Sequence, residues 1–409
     1  MSSSACRFCG APLEHVFADL GMSPLANSYV APERANAMEP FFPLRALVCS
    51  HCFLVQLEEF ETAEAIFSDY AYFSSYSTTW LEHAESYAQA MIDRFGIGAT
   101  SHVVELASND GYLLQYFVAR GVPVLGVEPA ANVAQAAEAK GVPTEVAFFG
   151  VETATRLART RQADLIAANN VLAHVPDLND FVGGMKVLLA PGGTITVEFP
   201  HLQRLIDENQ WDTIYHEHFS YFSFLTVRRV FAEHALRLFD VEELPTHGGS
   251  LRIYGCHADD PRADEPRADA LAERERAAGY ERLETYTSFG EQVVRDKREI
   301  LALLIELKAQ GARIAGYGAP AKGNTLLNYC GVRGDFIDYT VDRNPHKQGH
   351  LLPGTHIPIR APEALREDKP DIVLILPWNL REEIMEQLAE IREWGGRFAV
   401  RAPDLRVLD

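Results

Sequence analysis

Val103-Val104-Glu105-Leu106-Ala107-Ser108-Asn109-Asp110-Gly111-Tyr112 is the stretch whose reading decides the fold. An apolar strand runs into an acidic residue, then a turn of small and polar residues, then a helical pattern. Small residues let a backbone approach a ligand closely, and a helix start offers free N–H groups. Outward from it the chain alternates. The strand-like segments PVLGVEP (123–129), ADLIAANNVL (163–172) and GGTITVEFP (192–200) are separated by helical patterns. Such alternation predicts a mostly parallel sheet flanked by helices.

These segments carry further signals. Glu128 ends the second strand, where an acidic side chain accepts hydrogen bonds from both hydroxyls of a ribose. The turn 105–111, Glu128, the Asn169-Asn170 pair in ADLIAANNVL and the turn LLAPGG before the next strand occur in the order of the motifs of class I S-adenosylmethionine methyltransferases, which they resemble. That resemblance implies a cofactor site at Glu105, Ala107, Asn109, Gly111, Glu128, Asn169 and Asn170. The first loop departs from the usual glycine-rich form, because Ala107 and Asn109 stand where glycines are common.

The chain has 409 residues, 47% of them hydrophobic, and a formal charge of −20. That length suits two or three domains. A strong acidic balance argues against a nucleic-acid surface, which needs clustered positive charge. No run reaches the ~18 apolar residues of a membrane span. The start, MSSSACRFCG, lacks the charged and apolar regions of a secretory signal, so the expectation is a cytoplasmic protein without a membrane partner.

Four of the six cysteines form two pairs, Cys6/Cys9 and Cys49/Cys52. Two CxxC knuckles in one short region point to a tetrahedral zinc–thiolate site. With four thiolates no position is left for water, so the ion is expected to be structural. A redox dithiol and a ligand role for His51 are the weaker readings. Cys256 and Cys330 read as small core residues.

About 16 residues after the 192–200 strand comes Tyr215-His216-Glu217-His218. In a doubly wound sheet the carboxyl ends of the strands face the ligand crevice, which places this segment over the methyl donor. Metal binding is disfavoured, since the histidines are two apart and no third ligand is evident. A carbon acceptor needs a proton removed, and a histidine is suited to that at neutral pH. His218 is therefore the expected general base, Glu217 an anchor, and Tyr215 a donor to the developing enolate oxygen. His216 reads as structural. His174 either touches substrate or caps a turn, and Tyr72 and Tyr76 either close the site or pack.

A charged segment over 259–310 predicts a long helix leading into another strand–turn–helix, ARIAGYGAPAKGNTLLNYC (312–330). The strands FIDYTVD and DIVLILP follow it. Gly316, Gly318 and Gly323 would permit close approach, and Lys322 would be a point charge for phosphate. Asp342, Arg343 and Lys347 lie near the end of the next strand. THGGSLR (246–252) is either a close backbone approach or a β-bulge.

With the two CxxC pairs, ELASNDG, YHEHFSYFS, THGGSLRIY and GYGAPAKGNTLLNY all in hand, nearly the whole chain resembles the nucleotide-sugar C-3′-methyltransferases of deoxysugar pathways. The resemblance implies an α/β protein of three parts. These are a zinc-binding N-terminal domain (1–70), a class I methyltransferase domain of Rossmann-like fold (71–285) and a second Rossmann-like domain holding a nucleotide-sugar (286–409). It also implies S-adenosylmethionine as cofactor and a 4-keto nucleotide-sugar, dTDP-linked, as substrate. Tyr76, Lys322, Asn324, Asp342 and Arg343 would contact that substrate, with Tyr72 as the family's tyrosine before the methyltransferase domain. The expected enzyme is a monomer. O- or N-methylation of a nucleotide-sugar and a non-catalytic zinc-binding scaffold are the rival readings.

Overall fold

The computed structural model describes residues 5–62, 74–76, 78–402 and 405–408. Tyr72 lies outside them, as does the side chain of Tyr76.

Among the described residues, three sheets organise the chain. The first is antiparallel, in the order His15–Ser23, Phe42–Val48, Val55–Leu57, Ser220–Tyr221. Its last strand arrives from more than 160 residues downstream and pairs Val55 with Tyr221 and Gln56 with Ser220. The segment just after YHEH is thereby built into the N-terminal module.

The second sheet has seven strands, in the order Leu236–Leu244, Ser250–His257, Leu189–Pro200, Ala163–Asn169, Val103–Leu106, Val124–Val127, Thr144–Glu145. The last five run parallel, and Ser250–His257 is antiparallel to both its neighbours. The expected turn at LLAPGG appears as a bulge inside one long strand. Leu189 pairs with Ala163 and Thr194 with Leu165, so Ala190–Gly193 is looped out. The inner strands are buried on both faces and accordingly read as near-continuous apolar runs.

The third sheet, in the order Ile359–Arg360, Tyr339–Val341, Ile314–Tyr317, Ile372–Ile375, Arg397–Val400, Arg406–Leu408, is parallel except for its last strand. In both large sheets the strand order reverses at the first strand, at Val103–Leu106 and at Ile314–Tyr317. Ligand crevices form at such points, outside the carboxyl ends.

The expected long helix over 259–310 is instead three helices, Pro266–Ala277, Leu283–Thr287 and Phe289–Ala309. Pro266 sits in the first turn, where its missing N–H does no harm. Gly279 takes φ +89°, a conformation that ends a helix. The third helix packs on the first sheet and ties the turn at Trp211–Thr213 to the end of the third. Phe289 stacks on Phe17 of the first at 4.7 Å, and Asp296 accepts from the buried Trp211 and Arg401 at 2.6 and 3.0 Å.

Among the described residues, no helix is long and apolar enough to cross a membrane.

Candidate active site

The carboxyl ends of the second and third sheets open onto one cavity of about 1540 Å³. Ala107, Asn109 and Glu128 line it from one side, Pro320, Ala321 and Lys322 from the other, and Arg7 and Asn27 of the N-terminal module from a third.

On the first side the turn keeps a left-handed backbone without the usual glycines. Ala107 has φ 54° and Asn109 φ 49°, followed by Gly111 at φ 75°. For an L-residue that conformation costs about 1–2 kcal/mol, somewhat less for asparagine. The strain is held by hydrogen bonds. The Asn109 N–H donates to Glu128 at 2.9 Å, and its side-chain oxygen accepts from the Ser74 N–H at 2.9 Å. Glu128 also accepts from the Ala130 N–H at 2.9 Å, and burial pushes its carboxyl up. Asn169 and Asn170 line the cavity, and Asn170 has φ 54°. The Oδ1 atoms of both are buried and unpartnered. Unspent acceptors of this kind fit a bound adenosyl group, because a buried polar atom left unpaired is costly. Glu105 and Gly111 stand behind the cavity wall rather than in it. Glu105 is fully buried, and burial raises its carboxyl well above the ordinary range against a partial pull from Tyr112.

Tyr215, Glu217, His218 and His174 converge on the cavity, and His216 does not. The four-residue stretch is a tight turn, closed by the His218 N–H donating to the Tyr215 carbonyl at 2.9 Å. In a turn, residues two apart point different ways. His216 is bonded to the Pro43 carbonyl at 3.2 Å and faces Phe42, away from the cavity. His218 is buried, with Nδ1 3.2 Å from the Thr213 carbonyl and Nε2 2.9 Å from the Tyr215 hydroxyl. A carbonyl only accepts, so Nδ1 carries the proton and Nε2 is the basic nitrogen. Burial, and then the neighbouring His174 ring at 4.7 Å, hold His218 well below the ordinary histidine range. Burial likewise lowers His174 to about 4. Glu217 accepts from Asn27 Nδ2 at 2.7 Å, and burial pushes its carboxyl up to about 7.

On the third-sheet side, Lys322 is half-buried, donates to Asn379 Oδ1 at 2.8 Å and lies 4.4 Å from the centre of the Trp378 ring. Burial lowers it to about 8. The glycines of GYGAPAKGN serve the chain's own packing. A Cβ on Gly318 would meet Pro377 at 2.7 Å, and one on Gly323 would meet Leu376 at 2.9 Å. Asn324 is buried behind Lys322 and lies off the cavity, its amide atoms unpartnered. Asp342 is also off the cavity, shaping the loop by accepting from the Ala319 and Asn344 N–H groups at 2.7 and 2.8 Å. Arg343 is exposed and off the cavity; of that trio only Lys347 lines it.

THGGSLR is a close approach. His247 has φ 58°, and a Cβ on Gly248 would meet the Trp378 ring at 2.5 Å. His247 lines the cavity with Trp80 and His83. His83 bonds the buried Glu198 at 2.9 Å. Burial pushes the Glu198 carboxyl up, but His83 and Arg252 more than reverse it, leaving it below the usual range. Sequence reasoning missed Arg7, Asn27, Trp80, His83 and Asn379. The histidine and tryptophan three apart on one helix were the one local signal.

The four cysteines of the knuckles come together. Cys6 and Cys52 Sγ are 3.6 Å apart, Cys9 and Cys49 Sγ 3.5 Å, and all four atoms lie within 4.8 Å of one another. Tetrahedral zinc with Zn–S of about 2.3 Å separates its sulfurs by roughly 3.8 Å, so the set fits. Gln56 Nε2 and the His51 N–H donate to Cys6 and Cys49 sulfur at 3.1 and 3.4 Å. Such donors steady thiolates. Among the described residues this is the one group of three or more potential ligands that could hold a metal, and neither His51 nor the YHEH histidines belong to it.

Three family models match in succession. They are a zinc binding domain over residues 6–67, a methyltransferase domain over 80–240 and a C-methyltransferase C-terminal domain over 245–403. The C-methyltransferase NovU of Streptomyces niveus is 36% identical over 404 residues, covering 98% of this chain and 96% of its own. Solved structures similar to part of the chain include the magnesium protoporphyrin IX methyltransferase of Synechocystis, 11% identical over 43% of this chain and 78% of that one, with a TM-score of 0.34. Another is the 1,6-didemethyltoxoflavin-N1-methyltransferase of Burkholderia thailandensis, 16% identical over 44% and 78%, with a TM-score of 0.33. At the identity it shares with NovU along almost its whole length, the chain belongs to the C-methyltransferase family, and it is an S-adenosylmethionine-dependent enzyme with a zinc-binding N-terminal module.

Proposed function

We propose that the enzyme methylates a carbon next to the 4-keto group of a nucleotide-linked deoxysugar, C-3′ of a dTDP-sugar, by way of an enolate. The observation that carries this reading is the Tyr215–His218 pair, hydrogen-bonded at 2.9 Å in the cavity that Ala107, Asn109 and Glu128 also line. Carbon acceptors need a base, whereas oxygen and nitrogen acceptors need one less.

Glu128, Asn169, Asn170 and the 107–109 turn, with Glu105 and Gly111 supporting that turn, would hold S-adenosylmethionine, which would supply an electrophilic methyl group. His218 is uncharged at neutral pH, so its Nε2 lone pair can take the proton from the carbon next to the ketone. As substrate enters, the Tyr215 hydroxyl passes from Nε2 to the ketone oxygen. The exchange frees the base and stabilises the oxyanion in one movement. The electron pair left on carbon would take the methyl group as its bond to sulfur breaks, the sulfur keeping the pair of that bond as S-adenosylhomocysteine, and the proton on His218 leaves to solvent. Glu217 anchors a sugar hydroxyl, and His174 lies edge-on to the base, whose burial keeps it uncharged.

We divide the chain after residues 70 and 285 as part of the same proposal and give the nucleotide to the third part. Lys322 is the charge for its diphosphate, with Lys347 on the same cavity wall and Asp342 tying the turn before the Lys322 helix to the loop that carries Lys347.

The test is His218→Asn, which retains bulk and polarity but lacks the basic nitrogen. We expect turnover to fall at least ~100-fold, as for loss of a general base, with S-adenosylhomocysteine affinity unchanged. Near-normal turnover would sink the assignment. Loss of deuterium from the α-carbon of substrate separates this reading from O- or N-methylation. A thermal-shift panel of dTDP, UDP, GDP and CDP, with and without S-adenosylhomocysteine, tests the nucleotide, since a ligand of the folded state alone raises apparent stability.

A further inference from the structure

We infer that Arg7, seated between two zinc ligands, is a positioning residue that couples the metal knuckle to the methyl-donor pocket. The inference rests on the methyl-donor site and is independent of the nucleotide-sugar reading.

The guanidinium of Arg7 leaves the knuckle and reaches into the active site. Nη1 donates to the Pro176 carbonyl at 2.9 Å and Nη2 to the Leu57 carbonyl at 2.6 Å. The group lies over the Phe219 ring, 5.3 Å from its centre. Pro176 closes the loop that begins at Asn169 and carries His174, and Phe219 directly follows His218. One side chain therefore grips both the loop that faces the donor and the neighbour of the base.

The grip is returned. Asn179 Nδ2, at the start of the next helix, donates to the Phe8 carbonyl at 2.9 Å, inside the same knuckle. The Arg7 N–H donates to Gln56 Oε1 at 2.9 Å, while Gln56 Nε2 donates to the Cys6 sulfur at 3.1 Å. The conformation that the thiolates require thus sets where the guanidinium sits.

Stability alone does not account for this arginine. A buried ionic group is often replaced by apolar residues with no loss. Here the charge is retained with its Nε buried and unpartnered, while the residue lines the cavity. A side chain of fixed geometry bridging two carbonyls and a ring suits positioning.

If the knuckle and the loop share one conformation, the ligands that select it are linked. Zinc and a ligand in the donor pocket must then strengthen one another by the same factor. The zinc-loaded full chain is titrated with EDTA at equilibrium, with and without saturating S-adenosylhomocysteine. We expect the nucleoside to tighten zinc about fivefold or more, the lower range of ordinary coupling. In Arg7→Met, zinc remains at one per chain and the ratio falls towards one. A ratio of one in the wild type overturns the inference, and so does an undiminished ratio in Arg7→Met. Should that variant fail to fold, Asn179→Ala removes the return grip, together with the 3.0 Å bond of Asn179 Oδ1 to His234, and leaves Arg7 in place. A ratio below the wild-type value is expected there, and an equal one overturns the inference.

Discussion

Glu217→Gln should change how stability depends on pH. Glu217 is buried, accepts one hydrogen bond from Asn27 and is raised by burial from an ordinary 4.5 to about 7. The folded chain therefore holds a proton that the unfolded chain has released anywhere between those values. Stability then falls as pH rises through that window, being full below about 4.5 and lost towards 7. At about 1.4 kcal/mol for each pH unit, the loss is roughly 3 kcal/mol. Glutamine keeps an acceptor for Asn27 and offers a donor where the protonated acid has its O–H, so it mimics the low-pH form at every pH. The melting temperature of the ligand-free enzyme, followed from about pH 5 to pH 8, should decline more in the wild type than in Glu217→Gln, where the raised carboxyls of Glu105 and Glu128 still titrate. The variant should melt higher at the alkaline end by roughly 6–12 °C if the cooperative unit is one domain of ordinary size. Asn27→Ala removes a donor that holds the carboxylate down, so its decline should reach further in pH. Parallel curves for wild type and Glu217→Gln would refute the reasoning.

Asp212→Ala should be destabilising, by about 1–3 kcal/mol in urea unfolding, since Arg401 keeps Asp296 as a partner. Arg401, 2% exposed, would lose its 2.6 Å partner and the Trp378 indole its acceptor; a loss under ~1 kcal/mol would show that the pair contributes little. Ala107→Gly should gain up to about 1 kcal/mol by relieving a left-handed alanine, and a destabilisation of that size in thermal melts would count against backbone strain at the turn. Cys49→Ser should lower bound zinc below one per chain, measured by elemental analysis, and lower the first melting transition. Full zinc retention would remove Cys49 from the ligand set.

The parts of this architecture legible in the sequence are those specified locally. The turn 105–111 could be found because strand, small residues and helix follow one another within a dozen positions, and the cysteine pairs because ligand spacing is itself local. Side-chain direction was less accessible. Asp342 and Arg343 both lie at a strand end, but one turns to cap backbone N–H groups and the other to solvent. His216 and His218 look equivalent in YHEH until the turn sends them apart. Asn27 meets Glu217 across 190 positions and Arg7 meets Pro176 across 169. No periodicity or motif reports a contact of that separation, because it exists only once the modules have docked. The break of the 259–310 helix was signalled by Gly279, yet a single glycine in a helical pattern is ordinarily tolerated.

The pairing of Ser220–Tyr221 with Val55–Leu57 also has a temporal side. Synthesis proceeds from the N-terminus, and N-terminal domains ordinarily fold first. This one cannot finish its sheet that way. All four cysteines emerge long before the strand that closes the edge, so the nascent module waits with an unpaired edge until the methyltransferase strands have been made. The segment bearing the proposed base is then captured as the closing strand. Exchange of the N-terminal module between relatives would accordingly have to carry residues 215–222 with it, because a partner's closing strand brings its own 215–218 turn.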